Sequence, residues 1–250
     1  MSANRLIIFV KAPRPGLVKS RLAATLGPKA AANAYCTLVE TLLRNLTTLS
    51  ECRSIKTEEA QPSHAGSQSF AIGAASASAV PSGAAFSAIA KIEIRFTPDD
   101  AFKEIQHWLQ ADWLACPQGS GDLGRRLYHA FVEAFAAAVA ERVVIIGSDC
   151  PTVTADDIQS AWAALQANDV VLGPAADGGY WLIGLRNSQP KLFEHMNWST
   201  ATVLRETLKR AQELGLRVRL LSERSDIDTE KDWQEFLCAN SAGTTAHRQS

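Results

Sequence analysis

The sequence predicts an α/β fold in which a mostly parallel sheet carries helices on both faces. Short apolar runs, such as Leu6 to Val10 and Val143 to Ile146, are typical of strands buried on both faces. Amphipathic stretches of helical length separate these runs, and strands that alternate with helices form mostly parallel sheets. The runs DVVLGP and GYWLIGL have only a short turn between them, which predicts one exceptional strand pair.

The first half of the chain is predicted to form two strands and two helices. The first strand ends at a Pro/Gly-rich loop, and a helix is expected from about Pro28 to Leu46 because apolar side chains recur there at helical spacing. The run KIEIRFTP alternates apolar and charged residues and predicts the second strand. Asp99 or Asp100 is expected to cap a helix that runs through Leu109.

The second half is predicted to alternate helices and strands in the same way. Thr154 precedes a periodic apolar stretch and is expected to cap a helix through Ala167. The remaining expected elements are the loop CPQGSGD, a helix from about Leu123 to Arg142, the strands VVII, DVVLGP and GYWLIGL, a helix opened by Ser199 or Thr200 and ending at Gly215, and a final strand from about Arg217 to Leu221.

A length of 250 residues allows one large domain, and we expect it to cover residues 1–240. Within it, Gln61 to Ala90 contains no Asp, Glu, Lys or Arg and has neither helical nor strand periodicity. This pattern predicts a low-complexity insertion over residues 57–90. The polar residues 241–250 are expected to form a disordered tail.

Charge and cysteine content exclude several classes of protein. The formal net charge of -1 offers no global field that would recruit nucleic acid or an anionic membrane. Five cysteines without C-x-x-C spacing are not the framework of a secreted disulfide scaffold, so a reducing cytoplasm is the expected compartment. The longest Ala-rich stretch falls short of the roughly 20 apolar residues of a membrane span. The sequence makes no prediction about oligomeric state.

The loop after the first strand carries a cluster of positive charge. Ligands of open α/β sheets bind beyond the carboxyl ends of the strands, and this loop places four cations there: Lys11, Arg14, Lys19 and Arg21. Such a cluster can hold a diphosphate, and a solvated basic turn is the alternative interpretation. Neither the Walker spacing G-x-x-x-x-G-K-[ST] nor a Rossmann G-x-G-x-x-G is present, so neither a P-loop nor a nicotinamide fold is supported.

Carboxylates follow three of the later strands. Asp149 in G-S-D-C-P comes just after a buried strand, where it can hold a divalent cation or cap the next helix. Asp177 lies in the turn D-G-G, which a hairpin alone would also explain. Asp226 and Asp228 are two residues apart on an extended segment, so they face the same side and are candidate metal or substrate ligands. The following T-E-K-D is explained by a helix cap.

Six motifs in chain order resemble one family of uncharacterised transferases. The motifs are FVKAPRPGLVKSRL, GDLGRRL, VVIIGSDCPTVT, DVVLGPAADGGYWLIGL, MNWST and DIDTEKDW. Together they resemble the DUF2064-type, or selenodomain-associated, proteins over nearly the whole chain except the insertion and the tail. The resemblance implies a GT-A-like, Rossmann-like nucleotide-diphospho-sugar transferase fold, which metal-dependent glycosyltransferases share with nucleotidyltransferases.

The resemblance also implies roles for individual residues. These are nucleotide binding by Lys11, Arg14, Lys19, Arg21, Asp122 and Arg125, catalysis by Asp149 and Asp177, and binding of Mg²⁺ or Mn²⁺ by Asp149, Asp228 or Asp226. Two motifs depart from the pattern, because the basic loop lacks the Gly-x-Gly of ordinary nucleotidyltransferases and S-D-C is not a full D-x-D. Asp226 or Asp228 must therefore supply the second carboxylate.

The sequence thus predicts a metal-dependent transferase with a nucleotide-activated donor. We expect a nucleotide-sugar donor and an unidentified small-molecule acceptor, because the missing Gly-x-Gly counts against a nucleoside triphosphate. The alternative is a nucleotidyltransferase that uses an NTP, modifies a small phosphorylated acceptor and releases pyrophosphate. A non-catalytic nucleotide-binding module is an alternative of another class, and the intact Asp149, Asp177 and Asp228 argue against it.

Overall fold

A seven-stranded sheet forms the centre of the molecule in the computed structural model, which describes residues 3–51, 90–136 and 140–246. Its strands are β1 (Ala3–Lys11), β2 (Ala90–Thr97), β3 (Leu114–Pro117), β4 (Ala140–Gly147), β5 (Val170–Pro174), β6 (Tyr180–Leu185) and β7 (Val218–Leu220). They lie in the order β3-β2-β1-β4-β6-β5-β7, with core clusters on both faces. The predicted α/β fold is confirmed.

One strand, β6, runs against both of its neighbours. β1 pairs in parallel with β2 and β4, and β5 pairs in parallel with β7, whereas β6 is antiparallel to β4 and to β5. The exceptional pair predicted from DVVLGP and GYWLIGL is therefore confirmed. The carboxyl ends of β1, β2 and β4 share one edge of the sheet, while the carboxyl end of β6 lies at the opposite edge.

Eight α-helices accompany the sheet in the described part of the chain. They are α1 (Ser20–Leu26), α2 (Pro28–Leu46), α3 (Thr48–Glu51), α4 (Phe102–Ile105), α5 (Leu123–Ala136), α6 (Ala155–Ala164), α7 (Val203–Glu213) and α8 (Glu230–Ala246), with 3₁₀ turns at Gln106–Trp108 and Pro190–Leu192. α2 and α6 pack on one face of the sheet, and α5 and α7 pack on the other. None of these helices is both long and apolar enough to cross a membrane.

The apolar runs of the sequence are strands whose two faces are both covered. Leu6, Ile7 and Ile8 of β1 are fully buried, yet Leu6 and Ile8 pack on the side of α2 while Ile7 packs on the side of α5. Successive strand residues point to opposite faces, so a strand covered twice has no polar alternation. This is why the sequence of β1 predicts its position in the middle of the sheet.

Two elements between β2 and β4 differ from the sequence prediction. The first two residues of the predicted loop CPQGSGD belong to β3 (Leu114–Pro117). This is an edge strand of the sheet and pairs in parallel with β2. So short a segment carries little pattern of its own, and its pairing partner decides its structure. The helix predicted to reach Arg142 ends at Ala136, because the chain from Ala140 onward pairs with β1 instead.

Two predicted helix starts are also wrong. Neither Asp99 nor Asp100 caps a helix, because α4 begins later and without a side-chain cap. α7 begins at Val203 rather than at Ser199 or Thr200. Ser199 has a φ of 62°, in the left-handed region, so Ser199 is not itself part of a right-handed helix.

The predicted cap of α6 is present. The Thr154 side chain accepts a hydrogen bond from the backbone N–H of Asp157, and the Asp157 carboxylate accepts one from the backbone N–H of Thr154 in return. This reciprocal arrangement satisfies two backbone donors at the start of the helix. α6 ends at Ala164, slightly earlier than predicted.

The structure describes part of the predicted tail and almost none of the predicted insertion. α8 continues to Ala246, so residues 241–246 of the predicted disordered tail 241–250 are helical, and 247–250 lie outside the described residues. The predicted insertion, residues 57–90, also lies outside the described residues apart from Ala90, which begins β2. The single domain over residues 1–240 stays a prediction.

Candidate functional site

Four segments meet at the edge where the parallel strands end. They are the loop from β1 to α1, the loop from β4 to α6, the turn between β5 and β6, and the segment from β7 to α8. The backbone N–H of Ile227 donates to the carbonyl of Asp149 at 3.1 Å, and Arg224 binds both carboxylate oxygens of Asp157 at 2.6 Å. These contacts fix the last segment against the end of β4, where open α/β sheets bind ligands.

The centre of this edge is an ion-paired group of Lys19, Asp149 and Asp228. The Lys19 Nζ lies 2.5 Å from Oδ1 of Asp149 and 3.1 Å from Oδ1 of Asp228, and the Lys19 side chain is only 2% exposed. Burial alone would lower the pKa of Lys19, but the charges and hydrogen bonds of the two carboxylates raise it above its ordinary value. Lys19 therefore stays protonated and neutralises part of the carboxylate charge. We call these three residues the Lys19 group.

Asp226 lies beside the Lys19 group and accepts a hydrogen bond from the buried thiol of Cys150, with 2.7 Å between Sγ and Oδ1. Burial raises the pKa of Asp226 to about 6, with help from the charges of Asp149 and Asp177 and against the effect of the Cys150 hydrogen bond. Burial and the Asp226 charge raise the pKa of Cys150 well above its ordinary range. Cys150 is thus a hydrogen-bond donor and not a nucleophile.

Asp226→Asn is expected to stabilise the protein at neutral pH. An unfolded Asp has a pKa of about 3.9, so with a folded pKa of about 6 the folded state holds the proton more tightly and loses stability as the pH rises between those values. Replacing the carboxyl removes this loss, which amounts to roughly 2–3 kcal/mol above about pH 6. Urea denaturation at acid and neutral pH should show the gain at neutral pH only.

The control for this change is Asp156→Asn, which neutralises an exposed carboxylate in the first turn of α6. It should give no comparable gain in the free energy of unfolding. A gain from Asp226→Asn that is the same at both pH values would contradict a carboxyl group whose pKa is raised by burial.

The four cations of the predicted basic loop do not all lie at the Lys19 group. Arg21 is exposed, and its Nη1 lies 3.9 Å from Oδ2 of Asp228, so it stands at the rim of the Lys19 group. The Lys11 side chain is exposed at the end of β1. Lys19 and Arg21 are therefore brought to the candidate site by the loop, as the sequence predicts. Binding of a nucleotide phosphate by Lys11, Lys19 or Arg21 stays a prediction.

Arg14 is directed away from the Lys19 group. Its Nη2 lies 2.6 Å from Oε1 of Glu104 and 3.0 Å from Oδ1 of Asp100. Both partners are about 90 residues further along the chain, next to or within α4. These ion pairs hold the loop against α4. Binding of a nucleotide phosphate by Arg14 stays a prediction.

Three further predicted residues lie on the surface of the same edge. The Asp122 Oδ1 accepts a hydrogen bond from the backbone N–H of Arg125 at 2.9 Å, so it caps the start of α5, and both side chains are exposed. The Asp177 Oδ1 accepts from the backbone N–H of Gly179 at 2.9 Å. The Asp177 charge acts on Asp226, which places it beside the candidate site. Catalysis by Asp177 and nucleotide binding by Asp122 and Arg125 stay predictions.

The turn that holds Asp177 packs against the segment that carries MNWST. Gly178 has a φ of 87°, and a Cβ at this position would overlap the carbonyl of Ala201. The backbone N–H of Leu204 donates to the carbonyl of Gly178 at 2.9 Å. Only glycine combines this backbone conformation with so close an approach, so the two motifs of the sequence form one surface.

Tyr35 is a residue of this edge that sequence reasoning missed. Its hydroxyl accepts a hydrogen bond from the backbone N–H of Lys11 at 2.8 Å and shares another with Ser148 at 2.8 Å. Tyr35 is fully buried on α2 and so joins the end of β1 to the residue before Asp149. The helical periodicity predicts only that Tyr35 faces the core, because a hydroxyl partner far along the chain leaves no local pattern.

Gln118 was also missed, and it joins three elements near the loop CPQGSGD. Its Nε2 donates to the carbonyls of Val10 at 2.9 Å and Arg95 at 3.0 Å, while its Oε1 accepts from Nη1 of Arg126 at 3.0 Å. A buried amide with its donors and its acceptor occupied holds the ends of β1 and β2 against the start of α5. No motif in the sequence marks this residue.

Asp149 and Asp228 offer carboxylate oxygens to a divalent cation but do not form a ready cation site. Within the described ranges, no three or more His, Cys, Asp or Glu side chains are arranged to hold a metal ion. Asp226 turns toward Cys150, and the Lys19 ammonium lies between Asp149 and Asp228, so the predicted ligands do not form one ready cluster. Mg²⁺ commonly takes one or two carboxylates plus phosphate oxygens. The partly exposed Asp149 and Asp228 offer that donor chemistry.

Comparisons with known proteins decide the family. The family model described as "Uncharacterized protein conserved in bacteria (DUF2064)" matches residues 84–200. The putative nucleotide-diphospho-sugar transferase from Desulfovibrio desulfuricans G20 is 30% identical, over 92% of this chain and 84% of that chain, with a TM-score of 0.71. The chain belongs to the DUF2064 family. No curated protein sequence matches this DUF2064 chain.

Other solved structures share the fold of this DUF2064 protein at low identity. The 4-diphosphocytidyl-2C-methyl-D-erythritol synthase from Anaerococcus prevotii DSM 20548 is 10% identical, over 93% of this chain and 95% of that chain, with a TM-score of 0.53. A CMP:2-keto-3-deoxy-manno-octonic acid synthetase in complex with CTP is 8% identical, over 97% and 100%, with a TM-score of 0.52. The predicted GT-A-like fold is confirmed. The protein is a transferase of this superfamily.

Proposed function

We propose that the protein transfers a sugar from a nucleotide-diphospho-sugar donor to a small-molecule acceptor, with Mg²⁺ or Mn²⁺ bound at Asp149 and Asp228. The observation that carries this proposal is the Lys19 group, at the edge of the sheet where such folds bind ligands. Support comes from the 30% identity to the Desulfovibrio protein, whose own assignment is nucleotide-diphospho-sugar transfer.

Each charged residue of the site has a task in this transfer. Arg21, whose side chain is 75% exposed, offers its guanidinium to the donor diphosphate. Lys19 holds Asp149 and Asp228 in one orientation, because its ammonium donates to both. The divalent cation, when bound, neutralises charge on the departing diphosphate. Asp177, which is exposed and whose charge acts on Asp226, accepts a proton from the acceptor hydroxyl in this proposal.

Nucleotidyl transfer from an NTP is the second candidate. The observation in its favour is that the fold neighbours include a diphosphocytidyl-methylerythritol synthase and a CMP-sugar-acid synthetase with CTP bound. Against it stands the basic loop, which lacks a Gly-x-Gly before the Lys19 group. The two reactions differ in the bond that breaks, because glycosyl transfer releases a nucleoside diphosphate and nucleotidyl transfer releases pyrophosphate.

Thermal unfolding with a panel of donors tests the proposal. UDP-, GDP- and ADP-sugars and the four NTPs are added with and without Mn²⁺, and a ligand of the folded state raises the melting temperature in proportion to RT ln(1 + [L]/Kd). One nucleotide-sugar is expected to stabilise the protein in the presence of Mn²⁺, and Asp149→Asn is expected to lose that response. The released product is then identified as nucleoside diphosphate or pyrophosphate.

Each other result points to a different function. Stabilisation by an NTP alone, with pyrophosphate released, would favour the nucleotidyltransferase. No response to any nucleotide would favour the non-catalytic class. If a nucleotide-sugar raises the melting temperature equally with and without metal, the proposed donor stands. The metal site at Asp149 and Asp228 is then wrong.

Thr229→Ala and Asp228→Ala are expected to separate stability from metal binding. The Thr229 Oγ1 accepts from the backbone N–H of Asp232 at 3.3 Å, and Asp232 Oδ2 accepts from the backbone N–H of Thr229 at 2.8 Å, so they cap α8. Thr229→Ala should cost about 1 kcal/mol of unfolding free energy with little effect on transfer. Asp228→Ala should keep the melting temperature within a few degrees and abolish metal-dependent transfer.

Urea denaturation and calorimetry with Mn²⁺ measure the two effects. Asp226→Ala is compared in the same series, since Asp226 is the other predicted ligand. One result would contradict the two-carboxylate site and make this segment structural. In it, Asp228→Ala and Asp226→Ala both lower the free energy of unfolding, and the folded fraction of each variant keeps its Mn²⁺ affinity.

A further inference from the structure

A cavity of about 620 Å³ lies at the opposite edge of the sheet from the Lys19 group. It is open to solvent and is bordered by the end of α5, the start of β4, the end of α6 and the loop after β6. The loop after β6 reaches this edge because β6 runs antiparallel to β4. Arg142 in the cavity and Asp149 lie near opposite ends of β4. The distance between them along the strand is roughly 25 Å, at about 3.3 Å per residue. The cavity is therefore distinct from the candidate site above.

Two arginines line this cavity, and neither forms an ion pair with a described residue, although the charge of Arg186 acts on Asp169. Among the described residues, no ion pair includes Arg142 or Arg186. Arg142 is only 8% exposed, and its Nε is buried without a hydrogen-bond partner. A buried cation without a counter-charge is costly for a folded protein, since it has lost its water and gained no anion in exchange.

The other residues of the cavity suit an anion with polar substituents. Gln166, Asn187 and Ser188 contribute uncharged hydrogen-bonding groups to the lining. The cavity lining also includes one acidic residue, Glu141. Its side chain is exposed, so water screens its charge more than that of the buried Arg142. A guanidinium matches the planar geometry of a carboxylate or one face of a phosphate, and the volume suits a small metabolite.

We propose that this cavity binds a small molecule through its phosphate or carboxylate group, with Arg142 and Arg186 as the anion ligands. The bound oxyanion supplies the counter-charge that the protein itself does not give to Arg142. The site is independent of the sugar-transfer proposal, because it shares no residue with the Lys19 group and lies at the other edge of the sheet.

The competing explanation is that the two arginines only cap α6. Arg142 Nη1 donates to the carbonyl of Trp162 at 3.3 Å, and Arg186 Nη1 donates to the carbonyl of Gln166 at 3.4 Å. Cations at the carboxyl end of a helix are favourable without any ligand. The two explanations differ in one measurable property, which is the affinity of the protein for a free oxyanion.

Calorimetric titration with inorganic phosphate, and separately with succinate, tests the proposal. Both are titrated into the wild-type protein and into Arg21→Ala, which lacks the cation assigned to the donor diphosphate at the other candidate site. Arg186→Ala, alone and combined with Arg21→Ala, is expected to weaken binding about tenfold or more, because a charge-assisted contact is lost. Arg205→Ala removes the same charge from an exposed position on α7 and should leave the affinity unchanged.

The outcomes decide between the two explanations. Binding that falls with Arg186→Ala but not with Arg205→Ala supports the site, and the better of the two probes shows whether phosphate or carboxylate is the preferred group. The proposal is overturned, and helix capping remains, if neither phosphate nor succinate binds. The same holds if Arg186→Ala and Arg205→Ala weaken binding equally. Arg142→Gln is a second variant, and Arg186→Ala alone decides if Arg142→Gln does not fold.

Discussion

Asp149→Asn is expected to reduce transfer by about a hundredfold or more, which is the typical loss when one electrostatic group is removed from an active site. The change keeps the size of the side chain and removes its charge. Lys19 is left with Asp228 as its sole carboxylate partner in the group, and the proposed cation loses a ligand. The carbonyl of residue 149 still accepts from Ile227, so the loop should keep its position. Steady-state kinetics and calorimetry with Mn²⁺ measure the loss.

Asp156→Asn is the matched control for this variant, because it neutralises an exposed carboxylate on the neighbouring helix α6. It should transfer at the wild-type rate. Wild-type donor affinity in Asp149→Asn at saturating metal would remove Asp149 from the site and, with it, the proposed reaction mechanism.

Lys19→Ala is expected to lower transfer at least as strongly, with little loss of stability. Without the ammonium, Asp149 and Asp228 repel each other across a short gap and lose their common orientation. Their side chains are 44% and 39% exposed, so both can turn toward water and the fold loses little. The decrease should therefore appear in kcat, while the melting temperature stays within a few degrees.

Two further variants make this result specific. Lys19→Arg should not restore activity, because a larger guanidinium cannot replace a side chain that is 2% exposed between two carboxylates. Lys29→Ala removes an exposed lysine at the start of α2 and should have no effect. Normal kcat in Lys19→Ala would mean that the ion pair is structural and that the carboxylates act without it.

Most of the sheet could be predicted because its strands are covered on both faces. β1, β4, β5 and β6 are buried runs, and burial on both sides leaves a continuous apolar signal in the sequence. β3 could not be predicted, because its residues Leu114–Pro117 become a strand only through pairing with β2. The end of α5 could not be predicted either, since the sequence favours a helix as far as Arg142, whereas the chain from Ala140 onward pairs with β1.

The candidate site was predictable to the extent that its residues follow strands. Asp149, Asp226 and Asp228 lie where the ends of β4 and β7 place them, and Lys19 lies in the loop after β1. The pairing of Arg14 with Glu104 was not predictable, because 90 residues separate the two along the chain. The same holds for Lys19, whose position between two carboxylates depends on contacts that only the assembled fold brings together.

The reversed direction of β6 fixes a minimum length for the chain that follows it. β6 ends at Leu185 on the far edge, yet Val203 begins α7 beside Gly178 on the edge of the Lys19 group. Residues 186–202 must therefore run back along the length of β6 and the turn before it, a span of about 25 Å that needs at least about eight residues even when fully extended. Because the MNWST segment uses the rest of this stretch to reach Gly178, the connection cannot be trimmed like an ordinary surface loop.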